Sequence, residues 1–450
     1  MKEKLKKLKK ELKKKIELKE FNLLKEEYKN KKTKEKELKI IGITGSRGKS
    51  TVAFIVHEYL KTLGYKSILY SSLGIDSPSS LIKKGEATDI PLNSEETLLS
   101  IIEEAEKYEA DYLVLEINES TIDLVKDMPF DVKVLTNFNP RHNLEQYSEE
   151  EYKNLKKSFF ENLDEDCICV LGIGSMMSKE DYLEFIETNN NPKVLFGSKH
   201  ICEVRDVNYQ NIHFLLHELD SSLKGLQMQV LINGKNNYFR TSTILSHNAL
   251  NYVTAMATLY ALGVFKEKAF QKCILELKIP GREEVIRKNN RTIVIGMFLN
   301  PALEEFKKYQ QNKEIQKIKV LSGSIGYGYK TWKEKYKTEE FKNSRTSSRK
   351  FAMKELEKYA DYVYLTECDN AKESVKDICL ELQSYLKTTP SKIILDREKA
   401  IRSIILESKE NDLIFISGRG NKKLLCYSEN ESKILKDKDV VENVLKELGW

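Results

Sequence analysis

Short apolar runs alternate with amphipathic stretches along most of this chain. From Leu38 onward, the runs LKIIGIT, KSILYSS, DYLVLEIN and DVKVLTNF predict buried strands, and STVAFIVHEYLKTLG and ETLLSIIEEAEKYEA predict helices between them. After a long predicted helix, ILSHNALNYVTAMATLYALGV, a second series of strands follows in TIVIGMF, KIKVLSGS, YADYVYLT, SKIILD and DLIFISG. Strands that alternate with helices indicate a parallel sheet covered on both faces. The pattern therefore predicts an α/β fold built from two such units.

The first 38 residues have a different character. Leu5, Leu8, Leu12 and Ile16 recur at the spacing of one helical face within a lysine-rich background, which predicts one or two amphipathic helices. Such a helix could pack on the body, dock a partner or pair with a second copy, or its lysines could be drawn to anionic lipid or nucleic acid. We therefore divide the chain into a charged helical extension (1–38), a central domain (39–278) and a smaller Rossmann-like domain (279–450).

Composition indicates which partners and which cellular compartment to expect. Its 75 basic and 69 acidic residues leave a net charge of +6, which is small for 450 residues, so we expect no nucleic-acid partner. Seven cysteines without a CxxC pair indicate a reducing compartment. The lysine-rich N-terminus is not a secretory signal, and no apolar run reaches the roughly 18 residues of a membrane span. We expect a cytoplasmic protein.

A glycine-containing loop joins the first predicted strand to the first predicted helix. A strict Walker pattern would need a glycine at Ile43, but strand, loop and helix follow one another as a phosphate-binding loop requires. Loop amides and the helix N-terminus would hold a triphosphate, Lys49 would reach its terminal phosphates, and Ser50 or Thr51 would ligate Mg²⁺. The predicted nucleotide-binding residues of the loop are Thr44, Gly45, Ser46, Arg47, Gly48, Lys49, Ser50 and Thr51.

Several segments together resemble the Mur ligases, in the order in which that family carries them. They are GITGSRGKST, LVLEINES, TNFNPRHNLEQYSEEEYKNLKKSFF, LSHNALNYVTAMATLYALGV and IPGREEVI. Further on, CDNAKES, DREKAI and ISGRGNKK are similar to the DNPR, DRxxAI and GKGHE segments of the muramyl-tripeptide synthetase branch. The resemblance spans roughly residues 39–427.

This resemblance implies an enzyme with ATP and Mg²⁺ as cofactors and a small carboxylate and an amino acid or amine as substrates. The carboxylate is activated as an acyl phosphate, an amide bond forms, and ADP and phosphate are released. The fold it implies is a central P-loop domain followed by a C-terminal Rossmann-like domain. In many family members the lysine that matches Lys156 carries a carbamate. The site residues carried over are Lys49, His142 and Lys156 for catalysis, Ser50, Glu116, His142 and Lys156 for the metal, and Asn248, Asn251 and Arg282 for the nucleotide; Tyr152 matches the tyrosine four residues before the lysine.

Departures from the family pattern bear on the substrate. Asn370 and Lys372 belong to DNAK, where the family has DNPR, and Lys422 replaces the glutamate of GKGHE. Lysines at these positions would repel a second ammonium group, so we expect an acidic or small incoming residue. Only the short helical segment precedes the P-loop, so we expect no UDP-muramyl substrate. Gly296 stands where the family has a ribose-contacting aspartate.

Two other functions remain open. A polymerase like poly-γ-glutamate synthetase shares the RGKS loop of residues 47–50 but lacks the DREKAI and GRG segments. A non-catalytic ATP-binding partner protein is the other alternative. His213 and His217 have a spacing that can hold zinc, but we interpret them as one face of a packed or surface helix.

Overall fold

The computed structural model describes residues 38–77, 95–139, 147–173, 178–199, 212–297, 299, 302–326, 339–370, 373–427 and 431–450. The predicted N-terminal helix lies outside these ranges, as do the predicted site residues His142 and Lys372. None of the helices in the described residues is both long and apolar enough to cross a membrane.

A ten-stranded sheet forms the first part of the fold. Its strand order is β10-β9-β8-β7-β6-β5-β1-β4-β2-β3, and the run from β8 through β2 is parallel. The pairs β2–β3, β8–β9 and β9–β10 are antiparallel, so β3 extends the predicted parallel sheet at one edge and the antiparallel strands β9 and β10 extend it at the other. The strands are β1 (Lys39–Thr44), β2 (Ser67–Ser71), β3 (Gly74–Asp76), β4 (Tyr112–Glu116), β5 (Val132–Leu135), β6 (Ile168–Ile173), β7 (Lys193–Ser198), β8 (Phe214–Ser222), β9 (Gly225–Ile232) and β10 (Lys235–Thr241).

Helices cover both faces of this sheet. Successive residues of one strand enter opposite cores: Leu113 packs on one face and Val114 on the other, because side chains alternate along a strand. Helices α1, α6 and α7 pack on the Val114 face, and α2, α4 and α5 on the Leu113 face. The helices are α1 (Lys49–Thr62), α2 (Glu95–Lys107), α3 (Ile122–Val125), α4 (Glu149–Ser158), α5 (Lys179–Glu187), α6 (Ala249–Ala261) and α7 (Glu267–Glu276).

The helix predicted around His213 and His217 is wrong. His217 lies in strand β8, and His213 immediately precedes that strand, where its Nδ1 accepts a hydrogen bond from the backbone N–H of Leu195 at 3.1 Å. The FLLHELDSS run pairs with β7 and β9, and this sheet pairing overrides its helical spacing. Neither histidine belongs to a group of three possible metal ligands among the described residues.

A six-stranded sheet forms the second part of the fold, in the order β11-β12-β16-β13-β14-β15. All neighbouring pairs are parallel except β11–β12. Its elements are β11 (Glu284–Lys288), β12 (Arg291–Ile295), α8 (Ala302–Gln311), β13 (Ile318–Ser322), α9 (Glu339–Tyr359), β14 (Tyr362–Leu365), α10 (Val375–Ser384), β15 (Ser391–Ile393), α11 (Arg397–Leu406), β16 (Leu413–Ile416) and α12 (Asp437–Glu447), with a separate hairpin of β17 (Leu424–Cys426) and β18 (Ser432–Ile434). The predicted fold class, a parallel P-loop unit followed by a Rossmann-like α/β unit, is confirmed.

The two units contact each other beside the P-loop. Ile244, which precedes α6, is buried in the hydrophobic core of the second unit together with Leu245. Its carbonyl also accepts a hydrogen bond from the Tyr309 hydroxyl of α8. Close by, the Glu305 carboxylate accepts a 2.6 Å hydrogen bond from the Ser246 hydroxyl. These contacts orient the carboxyl ends of the second sheet toward the P-loop.

Candidate active site

The loop after β1 has the backbone that a phosphate-binding loop needs. Gly45 has φ of 142° and Gly48 has φ of 80°, a region in which side chains are strained. A Cβ added to Gly45 would lie 2.1 Å from Thr136 Oγ1, and one added to Gly48 would lie 2.2 Å from Asn251 Oδ1. Both glycines are therefore required by conformation and by close approach, and Gly48 directly precedes α1.

A segment after β5 holds the loop from the side. The Asn137 carbonyl accepts a hydrogen bond from the Ser46 N–H at 3.1 Å. The Asn137 side chain accepts from the Arg47 N–H at 2.9 Å and donates to the Arg47 carbonyl at 3.0 Å. Thr136 Oγ1 donates to the same carbonyl at 2.5 Å. Both backbone groups of Arg47 are thus fixed, while its side chain is exposed. Asn137 was not among the predicted site residues, although it lies at the end of the predicted strand DVKVLTNF, two residues after the observed strand ends at Leu135.

Oxygen ligands suited to Mg²⁺ meet at the start of α1. The Ser50 hydroxyl donates to Glu116 Oε1 at 2.9 Å, and Glu116 Oε2 accepts from the backbone N–H of Ser72 at 2.7 Å. Both side chains are buried, as are Lys49 and Thr51. A hydroxyl and a carboxylate at the carboxyl ends of neighbouring parallel strands are the hard ligands that Mg²⁺ prefers. Ser50 and Glu116, both predicted as magnesium ligands, are therefore in direct contact in the structure.

A second carboxylate, Glu119, lies between two lysines and was missed by the sequence analysis. Its Oε1 is 2.8 Å from the Nζ of Lys156 and 4.0 Å from the Nζ of Lys49. The Tyr152 hydroxyl donates to Glu119 at 3.3 Å and shares a 3.0 Å hydrogen bond with the Ser46 hydroxyl. Glu119 follows Glu116 by three residues at the same strand end, and that position was the signal available.

Burial and neighbouring charges determine the ionisation of Glu119 and Lys156. Burial would raise the pKa of Glu119, but the charges of Lys49 and Lys156 outweigh it and lower the pKa to about 2. Lys156 is fully buried, and burial lowers its pKa to about 8 although Glu119 acts in the opposite direction. The Lys156 ammonium also donates to Thr44 Oγ1 at 2.9 Å, and Lys49 donates to the Gly45 carbonyl at 2.8 Å.

The remaining predicted nucleotide residues connect the two units. Asn251, in contact with Gly48, donates to Asn248 Oδ1 at 3.0 Å, and Asn248 donates to Glu283 Oε2 at 3.2 Å. Arg282 lies beside Glu283 in sequence, and its Nη2 donates to the Ser50 hydroxyl at 3.4 Å. The second unit thus contributes a guanidinium group directly to the P-loop.

The predicted substrate residues of the second unit lie in a buried polar network. Asp369 accepts hydrogen bonds from Lys422 Nζ at 2.8 Å and from Arg419 Nη1 at 3.0 Å. Asp369 thus pairs with two cations, Arg419 and Lys422, so the lysine whose charge predicted an acidic or small incoming residue already has a carboxylate partner. Asn370 donates to the Glu373 carbonyl at 2.8 Å, and its buried Oδ1 has no hydrogen-bond partner among the described residues.

Gly296 lies close to the ring of Phe415. A Cβ on Gly296 would be 3.0 Å from this ring, which is tighter than an ordinary van der Waals contact. A larger side chain at this place would require the ring to shift by a few tenths of an ångström.

A P-loop whose lysine, hydroxyl and carboxylates lie beside an arginine from a second α/β unit is suited to nucleotide-dependent phosphoryl transfer. Comparison with known proteins agrees, because residues 43–259 match the sequence model of the Mur ligase middle domain. That segment belongs to this family, and the predicted relationship of the chain to the Mur ligases is confirmed.

Relatives of this chain extend the similarity beyond the middle domain. The UDP-N-acetylmuramoyl-L-alanyl-D-glutamate--2,6-diaminopimelate ligase of Caldanaerobacter subterraneus subsp. tengcongensis is 23% identical over 91% of this chain and 78% of its own length. The UDP-N-acetylmuramyl-tripeptide synthetase of Ligilactobacillus salivarius is 24% identical over 92% and 80%. The MurF ligase from Thermotoga maritima, solved in complex with ADP, superimposes with a TM-score of 0.61 at 16% identity over 95% of this chain and 84% of that chain, a likeness that shows the fold. These relatives are named as ligases or synthetases of the Mur type, which agrees with the predicted enzyme class.

Proposed function

We propose that this protein is an ATP-dependent ligase that joins a carboxylate to an amino acid or amine. The carboxylate takes the γ-phosphoryl group of ATP to form an acyl phosphate, the amine attacks its carbonyl carbon, and phosphate leaves. The observation that carries this proposal is the cluster of Lys49, Ser50, Glu116, Glu119 and Lys156 at the carboxyl ends of β1 and β4.

Positive charge is what this reaction requires, because a phosphate and a carboxylate must approach each other. Lys49 and the loop amides would hold the phosphates of ATP. Arg282, 3.4 Å from the Ser50 hydroxyl, supplies a second cation from the other unit. We propose that the chain divides into domains of residues 39–278 and 279–450, with ATP between them. Closure of this cleft would exclude water from the acyl phosphate.

The residues present fit a magnesium ion. The Ser50 hydroxyl and the Glu116 carboxylate are oxygen ligands already 2.9 Å apart. When bound, Mg²⁺ would neutralise phosphate charge and act as a Lewis acid. His142, outside the described residues, stays a predicted ligand. For Lys156, we propose an ammonium paired with Glu119, because that carboxylate supplies the negative charge that a carbamate would bring.

A screen of the purified full chain tests the proposed reaction. ATP would be combined with candidate carboxylates and an amino-acid panel, and ADP release would be measured together with product mass. We expect release that requires both substrates and falls at least about 100-fold in Lys49→Ala, since the loss of a transition-state cation costs several kcal/mol. Lys392→Ala, which removes a half-exposed lysine from β15, serves as the control and should match wild type.

The products also separate the alternatives. One added residue supports the ligase, and a ladder of masses would indicate a polymerase. ATP binding without release for any substrate pair, unchanged in Lys49→Ala, would indicate the non-catalytic partner protein and would overturn the proposal.

A further inference from the structure

A histidine and two carboxylates meet at the edge of the first sheet, away from the P-loop. His57 and Glu58 lie on α1, about 12 Å along the helix axis from Lys49, and Asp76 ends the edge strand β3. The Nε2 atom of His57 is 3.0 Å from Asp76 Oδ2 and 3.7 Å from Glu58 Oε1. The three possible ligand atoms all lie within 4.8 Å of one another, and no second group of this kind occurs in the part of the chain that the structure describes.

These separations suit a tetrahedral zinc ion. Zinc binds histidine nitrogen and carboxylate oxygen at about 2.0–2.2 Å, so two ligand atoms of a tetrahedral site lie about 3.4 Å apart. The observed distances of 3.0 Å and 3.7 Å lie on either side of that value. Small movements of the two carboxylates would therefore admit the ion. Three protein ligands also leave a fourth position for water, as in open zinc sites.

The His57 ring is held in the orientation that a metal ligand needs. It is completely buried, and its Nδ1 lies 2.9 Å from the hydroxyl of Ser67 at the start of β2. When Nδ1–H donates to Ser67, the Nε2 lone pair faces the two carboxylates, which is how histidine ligands are usually oriented. Burial lowers the pKa of His57 although Asp76 acts in the opposite direction. The ring is therefore neutral at pH 7, as metal binding requires.

Solvent reaches this group from the carboxylate side. Asp76 and Glu58 are partly exposed, and Lys61, one turn further along α1 than His57, is 42% exposed. The Lys61 ammonium donates to Asp76 Oδ2 at 2.8 Å, so it places positive charge at the oxygen that an ion would bind. Because ion pairs of exposed lysines are weak, Lys61 can leave Asp76 for water, and it competes with an ion without preventing its entry.

We propose that His57, Glu58 and Asp76 form a binding site for a divalent metal ion of the Zn²⁺ type. One imidazole and two carboxylates favour such an ion over Mg²⁺, which prefers an all-oxygen set such as Ser50 and Glu116. The bound ion would tie α1, which begins at the P-loop, to the edge strand β3.

A metal ion at this place would support the P-loop cluster from behind. The turn between β2 and β3 contains Ser72, whose N–H donates to Glu116 Oε2 at 2.7 Å and whose hydroxyl lies 2.8 Å from the Ser50 hydroxyl. Asp76 is the last residue of the same hairpin. Fixing Asp76 to α1 would limit movement of this turn. The ion would thus stabilise the fold without taking part in the reaction, and its site does not depend on the proposed ligase function.

Zinc titration of the full chain tests the site. The protein, produced without a histidine tag and freed of metal with a chelator, would be titrated with ZnCl₂ in a calorimeter, with excess Mg²⁺ present to occupy all-oxygen sites. We expect one equivalent to bind and to raise the melting temperature, because an ion that binds only the folded state stabilises it. X-ray absorption of the bound zinc should show nitrogen and oxygen ligands without sulfur.

Three variants and one control assign the ion to these residues. Glu58→Gln and Asp76→Asn should each weaken zinc binding at least about 10-fold, since losing even a group that only orients a ligand costs that much. Lys61→Met should tighten zinc binding about 2-fold to 5-fold, because the competing ammonium is removed. Glu103→Gln removes an exposed carboxylate from α2 and should bind zinc as wild type does.

Three results would overturn the proposal. The first is a wild-type protein that binds no zinc in the titration. The second is zinc binding that is unchanged in both Glu58→Gln and Asp76→Asn, or a bound zinc with a sulfur ligand, since the ion would then lie elsewhere. The third is weaker zinc binding by Lys61→Met, which would show that the ammonium does not compete for Asp76.

Discussion

Replacing Glu119 by glutamine should expose the energetic cost of the buried Lys156 charge. Lowering the Glu119 pKa from 4.5 to about 2 corresponds to about 3 kcal/mol of stabilisation, at about 1.4 kcal/mol per tenfold change. Lowering the Lys156 pKa from 10.5 to about 8 corresponds to a similar cost of keeping that lysine charged in the folded state. The attraction between Glu119 and Lys156 offsets the cost of burying both charges, so we expect the pair to fix geometry more than to add net stability.

Glu119→Gln keeps the cost of the buried Lys156 charge but loses the stabilisation that the Glu119 carboxylate provides. We expect Glu119→Gln to be less stable than wild type by about 3 kcal/mol at pH 7, which corresponds to roughly 6–12 °C in the melting temperature of a domain of this size. Scanning fluorimetry would measure the shift. Asp123→Asn, which removes an exposed partner of Lys126, should change the melting temperature by less than about 2 °C.

The pH dependence has a defined sign. The folded-state pKa of Glu119 is depressed, so its stabilisation is present above pH 4.5 and is lost as the pH falls toward 2. The folded-state pKa of Lys156 is also depressed, so raising the pH above 8 relieves its cost. Without Glu119, Lys156 loses its proton at a lower pH, so the cost of its charge is relieved earlier. The stability difference between wild type and Glu119→Gln should therefore shrink between pH 7 and pH 9.5.

A second substitution completes the test. Adding Lys156→Met to Glu119→Gln removes the unpaired charge and should restore most of the lost stability. Full stability of Glu119→Gln at pH 7, or further loss in the double variant, would refute the coupling of the two groups.

Three further predictions concern other residues. Gly48→Ala should lose ADP binding in calorimetry, because its Cβ would lie 2.2 Å from Asn251 Oδ1. Gly64→Ala, also at positive φ but with nothing within 4 Å, should bind ADP as wild type does, and equal loss in both variants would contradict the steric reason. Arg397→Met should lower stability by about 3 kcal/mol in urea titrations, because the buried Asp437 keeps only Arg419, at 4.0 Å, as a cationic partner, and a change below about 1 kcal/mol would be incompatible with the Arg397–Asp437 pairing. After incubation with ¹³C-bicarbonate, the protein should show no carbamate carbon in ¹³C NMR, and a signal that disappears in Lys156→Met would show the modification instead.

Local patterns were enough to predict the frame of the fold. The strand, loop and helix around the P-loop, the burial of β4 and the position of Glu116 all follow from periodicity and from the rule that ligands collect at strand ends. The antiparallel β8–β10 segment was not predicted, because its partners lie elsewhere in the chain and pairing decides its structure.

The sequence could not show which charged residues pair with each other in the fold. Glu119 meets Lys156 across 37 positions, and Asp369 meets Lys422 across 53. No periodicity relates such residues, since the fold alone brings them together. The substrate role inferred for Lys422 from its charge alone therefore left out the Asp369 carboxylate with which that lysine pairs.

The proposed ligase reaction depends on an acyl phosphate formed at the P-loop cluster. The most direct measurement labels the carboxylate that supports ADP release with ¹⁸O and follows the released phosphate by ³¹P NMR. One ¹⁸O atom should pass into phosphate in each turnover, because the bridging oxygen of an acyl phosphate comes from the carboxylate and leaves with phosphorus. Phosphate free of ¹⁸O, with an amide product formed, would contradict the account.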